Sequence, residues 1–287
     1  MKWKVIGVNS IHQSGEVHLH KSAAIAISDH IGDMARTYRI GQIVPSSNTT
    51  IESEISAMLR SREAVLPERF TFHSSRMRMG ISSVEDLSAT DGDSDRCALE
   101  LSDANVDVMG NACLVATMNM GKGYHRVFED RLHQRTLSNG HPAPVVTSAG
   151  ALVDGIKAIG ARKVSIIASY VKTLTKLVIE YIEHEGIEVV DSLSLEIADH
   201  LAVGRLDPLA PADLWRKLNL ANVDAIVASA CVRMPSLASI PRIEAASGLP
   251  VLSSSVGTAF QMLTKLGLVP IAPHAGRLLS GHIEMLS

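Results

Sequence analysis

Three cysteines, Cys97, Cys113 and Cys231, are the residues of this 287-residue chain best suited to do chemistry, and two of them share a setting. Cys113 lies in Gly110-Asn111-Ala112-Cys113-Leu114-Val115 and Cys231 in Ser229-Ala230-Cys231-Val232-Arg233-Met234-Pro235. Each follows an apolar run of strand length and opens a tight segment, a junction that exposes the sulfur together with backbone N–H groups. A thiol with a reference pKa of about 8.5 is mostly un-ionised at neutral pH, and such dipoles raise the thiolate fraction. The same N–H groups can hold a carboxylate. Either cysteine alone would read as a small buried hydrophobe; two in equivalent places read as a pair of reactive thiols. Cys97 sits in the amphipathic run 95–101 with no polar loop beside it and reads as structural.

Two polar residues stand at matching places. Asn48, in the loop Pro45-Ser46-Ser47-Asn48-Thr49-Thr50, offers its amide and the flanking hydroxyls to an oxyanion. It is also suited to cap a helix beginning at Ile51-Glu52, and a capped helix N-terminus is itself an anion site. Tyr170 follows a strand at the mirror position, where its hydroxyl can reach a second carboxylate; in isolation it would read as a tyrosine at the edge of a core.

The elements needed to position these groups are legible as a βαβ rhythm. Apolar runs at 40–44, 106–109, 164–168, 225–228 and 250–252 alternate with helical patterns, which predicts parallel sheets. Ala151, Leu152, Ile156 and Ile159 share a helix face that Gly160 ends; Leu174, Leu177, Val178, Tyr181 and Ile182 share another that Gly186 ends, before a strand at 187–190. In each half a strand runs into a polar turn and a cysteine follows a second strand some 60 residues later. Ligands in open parallel sheets bind beyond the carboxyl ends of the strands, so two facing halves bring both thiols to one cleft. The expected division is an N-terminal extension (1–37), a first α/β domain (38–150) and a second (151–287), with the last helix crossing back over the first. The stretch 73–79 is strand-like and carries Arg76 and Arg78, two cations able to attract a dianion, though a solvated edge is the plainer reading.

Composition narrows the function. An apolar fraction of 46% with 20% charged residues is that of a globular enzyme, and a net charge of −3 gives no field for a phosphate backbone, which argues against nucleic acid as a partner. No apolar run approaches the roughly 20 residues of a membrane span, and 23–27 is too short and too deep for a secretory signal, so a cytoplasmic protein with free thiols is expected. His12, His18 and His20 lack Cys or carboxylate partners at ligand spacing, so no metal is expected. Gly121-Lys122-Gly123-Tyr124-His125-Arg126 lacks the third glycine of a dinucleotide fingerprint and does not directly follow a strand, which argues against NAD.

The stretches 39–50 (RIGQIVPSSNTT), 72–79 (FHSSRMRM), 112–116 (ACLVA), 147–153 (TSAGALV) and 229–237 (SACVRMPSL) resemble the maleate isomerase family, over roughly residues 39–281. That family belongs to the Asp/Glu racemase superfamily. The resemblance implies an α/β fold of two Rossmann-like parallel-sheet halves related by a pseudo-twofold, with the active site between them, in a cytoplasmic homodimer that needs no cofactor and serves nicotinate degradation. It implies Cys113 as the nucleophile that adds to the alkene of maleate and Cys231 as its proton-handling partner. Asn48, Tyr170 and the backbone of Leu114, Val115 and Val232 would bind the carboxylates. His200 stands where the family carries a substrate-binding Asn, Asn111 where an aromatic is typical, and Phe260 where some relatives have Tyr.

A two-cysteine racemase of an amino or hydroxy acid shares this architecture and is separated from it only by substrate chemistry. A decarboxylase relative would keep the second cysteine alone, so Cys113 speaks against it. A two-lobed binding protein has no need of paired thiols.

Overall fold

Residues 36–78 and 84–281 are described by a computed structural model, with only the backbone described for 84–91. The N-terminal histidines lie outside the described residues. The first half runs β1 (Thr37–Pro45), α1 (Thr50–Glu63), β2 (Arg69–Met77), α2 (Val84–Asp103), β3 (Val108–Asn111), α3 (Leu114–Asn119), α4 (Tyr124–Ser138), β4 (Val145–Thr147) and α5 (Ser148–Ala158). The second runs β5 (Lys163–Ala168), α6 (Lys172–His184), β6 (Glu188–Ser194), α7 (His200–Gly204), α8 (Pro211–Leu214), β7 (Ala225–Ser229), α9 (Ile240–Ser247), β8 (Val251–Ser253) and α10 (Ser254–Lys265).

Each half builds one four-stranded parallel sheet, ordered β2-β1-β3-β4 and β6-β5-β7-β8. The central strands are buried on both faces, as the unbroken apolar runs require: Ile40, Ile43 and Val44 in β1 and Ile166 and Ile167 in β5 are fully buried. The two orders are the same, and so are details of the ladders. Ala112 N–H donates to Ile43 O and Ala230 N–H to Ile167 O, both at 2.8 Å. At the other end of the same strands, Asp107 Oδ2 accepts from Arg39 N–H at 2.7 Å and Asp224 Oδ2 from Lys163 N–H at 2.8 Å.

In both sheets the chain reverses its direction of winding between the first and third strands. A crevice opens there because the flanking connections leave toward opposite sides. Pro45 and Asn111 end the pair in one half, Ala168 and Ser229 in the other.

The halves share one hydrophobic core, in which Ile40, Val44 and Val146 belong to the same buried cluster as Ile166, Ile226 and Leu252. α5 and α10 make the seam. Each starts at a hydroxyl cap, Thr147 Oγ1 accepting from Gly150 N–H at 3.1 Å and Ser253 Oγ from Val256 N–H at 3.3 Å. They approach so closely that a Cβ on Gly257 would lie 2.6 Å from Ala151 O, so this position requires glycine. Residue 150 falls within α5, and α10 packs against α1, β3 and β4 of the first half.

Apolar periodicity is weak in two strands, of which the sequence suggests only β2, at 73–79. β2 is an edge strand with polar side chains, and β4 is only three residues long. Arg76 of β2 is not merely solvated: it pairs with Glu52 and donates through Nη1 to Ser46 O at 3.2 Å and Asn48 O at 3.1 Å, bracing the loop after β1.

Candidate active site

A cavity of about 320 Å³ lies beyond the carboxyl ends of β1, β3, β5 and β7, and both Cys113 and Cys231 line it. Asn48, Leu114, Val115, Tyr170, His200 and Val232 line it too, so the residues expected to act on or bind substrate meet there. Its remaining wall is largely apolar, from Leu174, Ile197 and Val203. Cys97 is fully buried in α2 and takes no part.

The cysteines are set by matching turns. Cys113 N–H donates to Asn111 Oδ1 at 3.2 Å and Cys231 N–H to Ser229 Oγ at 3.3 Å, so the last residue of β3 and of β7 braces the backbone of each thiol. This gives Asn111 a role that does not need an aromatic ring. The first turn of α3 closes with Thr117 N–H on Cys113 O at 3.2 Å, which leaves the N–H groups of Leu114 and Val115 ahead of that ladder.

Burial dominates the electrostatics of Cys113. It pushes the thiol up to about 11, against the Ala116 backbone N–H and the Arg233 guanidinium, and a charge on Cys231 pushes the same way as burial. The expected enrichment of thiolate by N–H dipoles is therefore outweighed at Cys113 by loss of solvent. Burial and Cys231 likewise push Tyr170 well above the usual phenol range, which keeps its hydroxyl protonated beside the Cys231 sulfur.

Asn48 is buried and serves two ends at once. Its Oδ1 accepts from Thr50 N–H at 3.0 Å and Ile51 N–H at 3.4 Å, capping α1, while Nδ2 donates to Val232 O at 3.4 Å across the cleft. More bonds tie α1 to the Cys231 loop: Thr50 Oγ1 to Arg233 O at 2.7 Å, and Ser236 and Leu237 N–H to Glu54 Oε1 at 2.7 and 2.8 Å. The first half therefore holds the second half's thiol in place.

The roof comes from the segment after β6. Glu196 takes a left-handed turn at φ 56°, and Glu196 N–H donates to Tyr170 O and Ile197 N–H to Ser169 O, at 3.2 and 3.0 Å. That fold-back carries Ile197, Ala198 and His200 over the cavity. His200 is half-buried, and burial followed by the nearby Arg233 lowers its pKa, favouring the neutral imidazole. Phe260 is packed in the core and does not line the cavity, so of the three departures from the family pattern His200 is the one positioned to meet a ligand.

Sequence reasoning missed Arg233, a buried lining residue whose Nη1 donates to Ser47 Oγ at 2.7 Å. Its signal was present, a cation two residues past a cysteine at a strand end. The apolar roof residues carried no local signal. Among the described residues, no group of three or more His, Cys, Asp or Glu side chains stands together as metal ligands would, and no helix is long and apolar enough to cross a membrane.

The chain is 58% identical over 247 residues to a maleate isomerase of Alcaligenes faecalis, covering 86% of this chain and 98% of that protein. To that of Pseudomonas putida it is 55% identical over 248 residues, covering 86% and 99%. The chain belongs to the maleate isomerase family. A solved cysteine-to-alanine variant of the maleate isomerase Iso from Pseudomonas putida S16, with maleate, superposes with a TM-score of 0.85 at 56% identity, covering 86% of this chain and 99% of that one. A Nocardia farcinica maleate cis-trans isomerase, a cysteine-to-serine mutant with a covalently bound succinylcysteine intermediate, gives a TM-score of 0.81 at 40% identity, covering 85% and 98%. The family model described as arylmalonate decarboxylase also matches, over residues 93–279. Maleate isomerase relatives thus match nearly end to end, on the α/β fold of two parallel-sheet halves expected from the sequence.

Proposed function

We propose that this chain converts maleate to fumarate by cofactor-independent cis-trans isomerisation, through a succinyl group carried on Cys113. The observation that carries the reading is the meeting of two equivalently positioned thiols, Cys113 and Cys231, in one cavity of about 320 Å³.

In this reading the Cys113 thiolate adds to one alkene carbon of maleate. The π electrons move to the neighbouring carbon and into its carboxylate as an enediolate, and the Cys231 thiol protonates that carbon. The C2–C3 bond is now single and turns. Cys231 then removes the proton, the C–S electrons return to Cys113, and fumarate leaves. Each thiol ends in the state in which it began, so no external oxidant, reductant or proton is consumed. Burial pushes the Cys113 thiol up to about 11, so the thiolate that adds is a minority form that has lost its proton to solvent, and the reacting microstate pairs it with the Cys231 thiol.

Asn48, Tyr170, His200 and the N–H groups of Leu114, Val115 and Val232 receive the carboxylates and stabilise the enediolate. The Tyr170 hydroxyl also steadies the Cys231 sulfur. Residues 38–150 and 151–287 act as the two sides of this site. The homodimer, the cytoplasmic setting and the place in nicotinate degradation rest on the family resemblance.

Purified protein incubated with maleate alone should yield fumarate by NMR. Mass spectrometry after acid quench should find one added substrate mass on the Cys113 peptide, absent in Cys113→Ser. A racemase would instead exchange the α-proton of aspartate or glutamate with solvent and leave maleate untouched. Adduct on Cys231 alone would reverse the two roles, and full turnover in Cys113→Ser would end the covalent mechanism.

A further inference from the structure

The cavity contains one permanent cation among its described lining residues, Arg233, and nothing in the roles above uses it. Its guanidinium comes from the second half, two residues past Cys231, and reaches into the first half to donate to Ser47 Oγ at 2.7 Å. Its backbone carbonyl is fixed as well, by Thr50 Oγ1 at 2.7 Å. The residue is 6% exposed. Burying a guanidinium is costly, and a site that retains one beside reactive groups has a use for its charge.

We propose that Arg233 is the fixed positive charge of the site, which stabilises Cys113 as a thiolate and draws a carboxylate of the dianionic substrate beside it. The carboxylate half of this inference rests on the isomerase reading, whereas the thiolate half concerns the empty cavity alone. Two arrangements support it. Both sulfurs line the cavity that Arg233 lines, and the Ser47 anchor holds the side chain across the cleft. The same charge opposes the effect of burial on Cys113 and Tyr170 and disfavours a second cation at His200. Arg233 acts on Cys113 through its field and is in that respect a positioning residue.

The test is alkylation of Cys113 by iodoacetamide in the ligand-free protein, followed peptide by peptide with mass spectrometry at pH 8. An opposite charge within about 4–6 Å shifts a pKa by roughly one to three units. A loss of one to two units of support lowers the thiolate fraction tenfold to a hundredfold, and the greater nucleophilicity of a more basic thiol returns about half of that on a logarithmic scale. Arg233→Gln should therefore alkylate about three- to tenfold more slowly at Cys113, and Arg233→Lys, which keeps the charge, should recover most of the rate. Ser47→Ala loses only the anchor and should slow Cys113 by a smaller factor. With maleate, Arg233→Gln should also raise KM, and Arg233→Lys should restore it in part.

An unchanged Cys113 rate in Arg233→Gln, or an equal loss in Gln and Lys, overturns the proposal in favour of a packing role. Should Arg233→Gln not fold, an unchanged rate in Ser47→Ala does the same. The alkylation needs no substrate, so its failure leaves the isomerase reading standing. A protein inert toward maleate but with Arg233-dependent alkylation would remove the isomerase reading and keep the charge assignment for Cys113.

Discussion

Replacing Glu54 by alanine should loosen the Cys231 loop more than any other single change outside the cavity wall. Glu54 lies in α1 and is buried, and its Oε1 accepts from Ser236 N–H at 2.7 Å and Leu237 N–H at 2.8 Å. These are the residues five and six positions past Cys231. Truncation leaves two amide donors without their acceptor in a buried place, at about 1–3 kcal/mol each, so about 2–5 kcal/mol for the pair given imperfect additivity. At roughly 2–4 °C per kcal/mol for a chain of this size, the melting temperature should fall by about 5–15 °C. Glutamine behaves differently. Burial raises the Glu54 pKa, with the N–H groups of Ser236 and Leu237 opposing it. The folded pKa therefore exceeds the unfolded one, so ionisation costs stability as pH rises from about 4.5 through the folded value. Glu54→Gln keeps a carbonyl oxygen for the two donors and removes that cost, so it should melt at or above wild type at pH 7 and lose the decline with rising pH. Thermal melts at pH 4 to 8 test both variants, with turnover of maleate reporting on the thiol. Glu54→Ala melting within 2 °C of wild type would refute the argument, as would Glu54→Gln falling as far as Ala.

Cys113→Ser and Cys231→Ser should each lose maleate turnover by orders of magnitude while Cys97→Ser retains it, measured by fumarate formation. Asn48→Ala should cost about 1 kcal/mol through loss of the α1 cap and a larger factor in kcat/KM, whereas Tyr170→Phe should cost activity with little change in melting, because its hydroxyl serves the Cys231 sulfur. His125, whose Nδ1 lies 2.5 Å from Tyr181 Oη, has its pKa lowered to about 4, first by burial and then by Arg126. Its contribution to stability is complete above about 6.5 and is lost as pH falls through 4, so the melting gap between wild type and His125→Gln should narrow over that window.

What the sequence by itself determined is the part encoded locally. Apolar runs with β-branched residues specify β1, β3, β5 and β7, because strands buried on both faces need unbroken hydrophobicity. Gly160 and Gly186, at φ 73° and 84°, stop helices where the pattern ends. The spacing of the two cysteines within matching units, with Asn48 and Tyr170 after the first strand of each half, was enough to nominate the site. Tertiary structure decided what depends on contacts between distant segments. β4, which the pattern missed, and β2, legible only as a polar edge over 73–79, owe their place to pairing with neighbours rather than to their own periodicity. The shared core and the close α5–α10 seam join residues about a hundred positions apart, a relation no local window contains. Arg233 became a site residue only when the Ser47 loop closed over it, and Cys113 became a reluctant acid only when folding removed its water, since desolvation is a property of the assembled cavity and not of the residue.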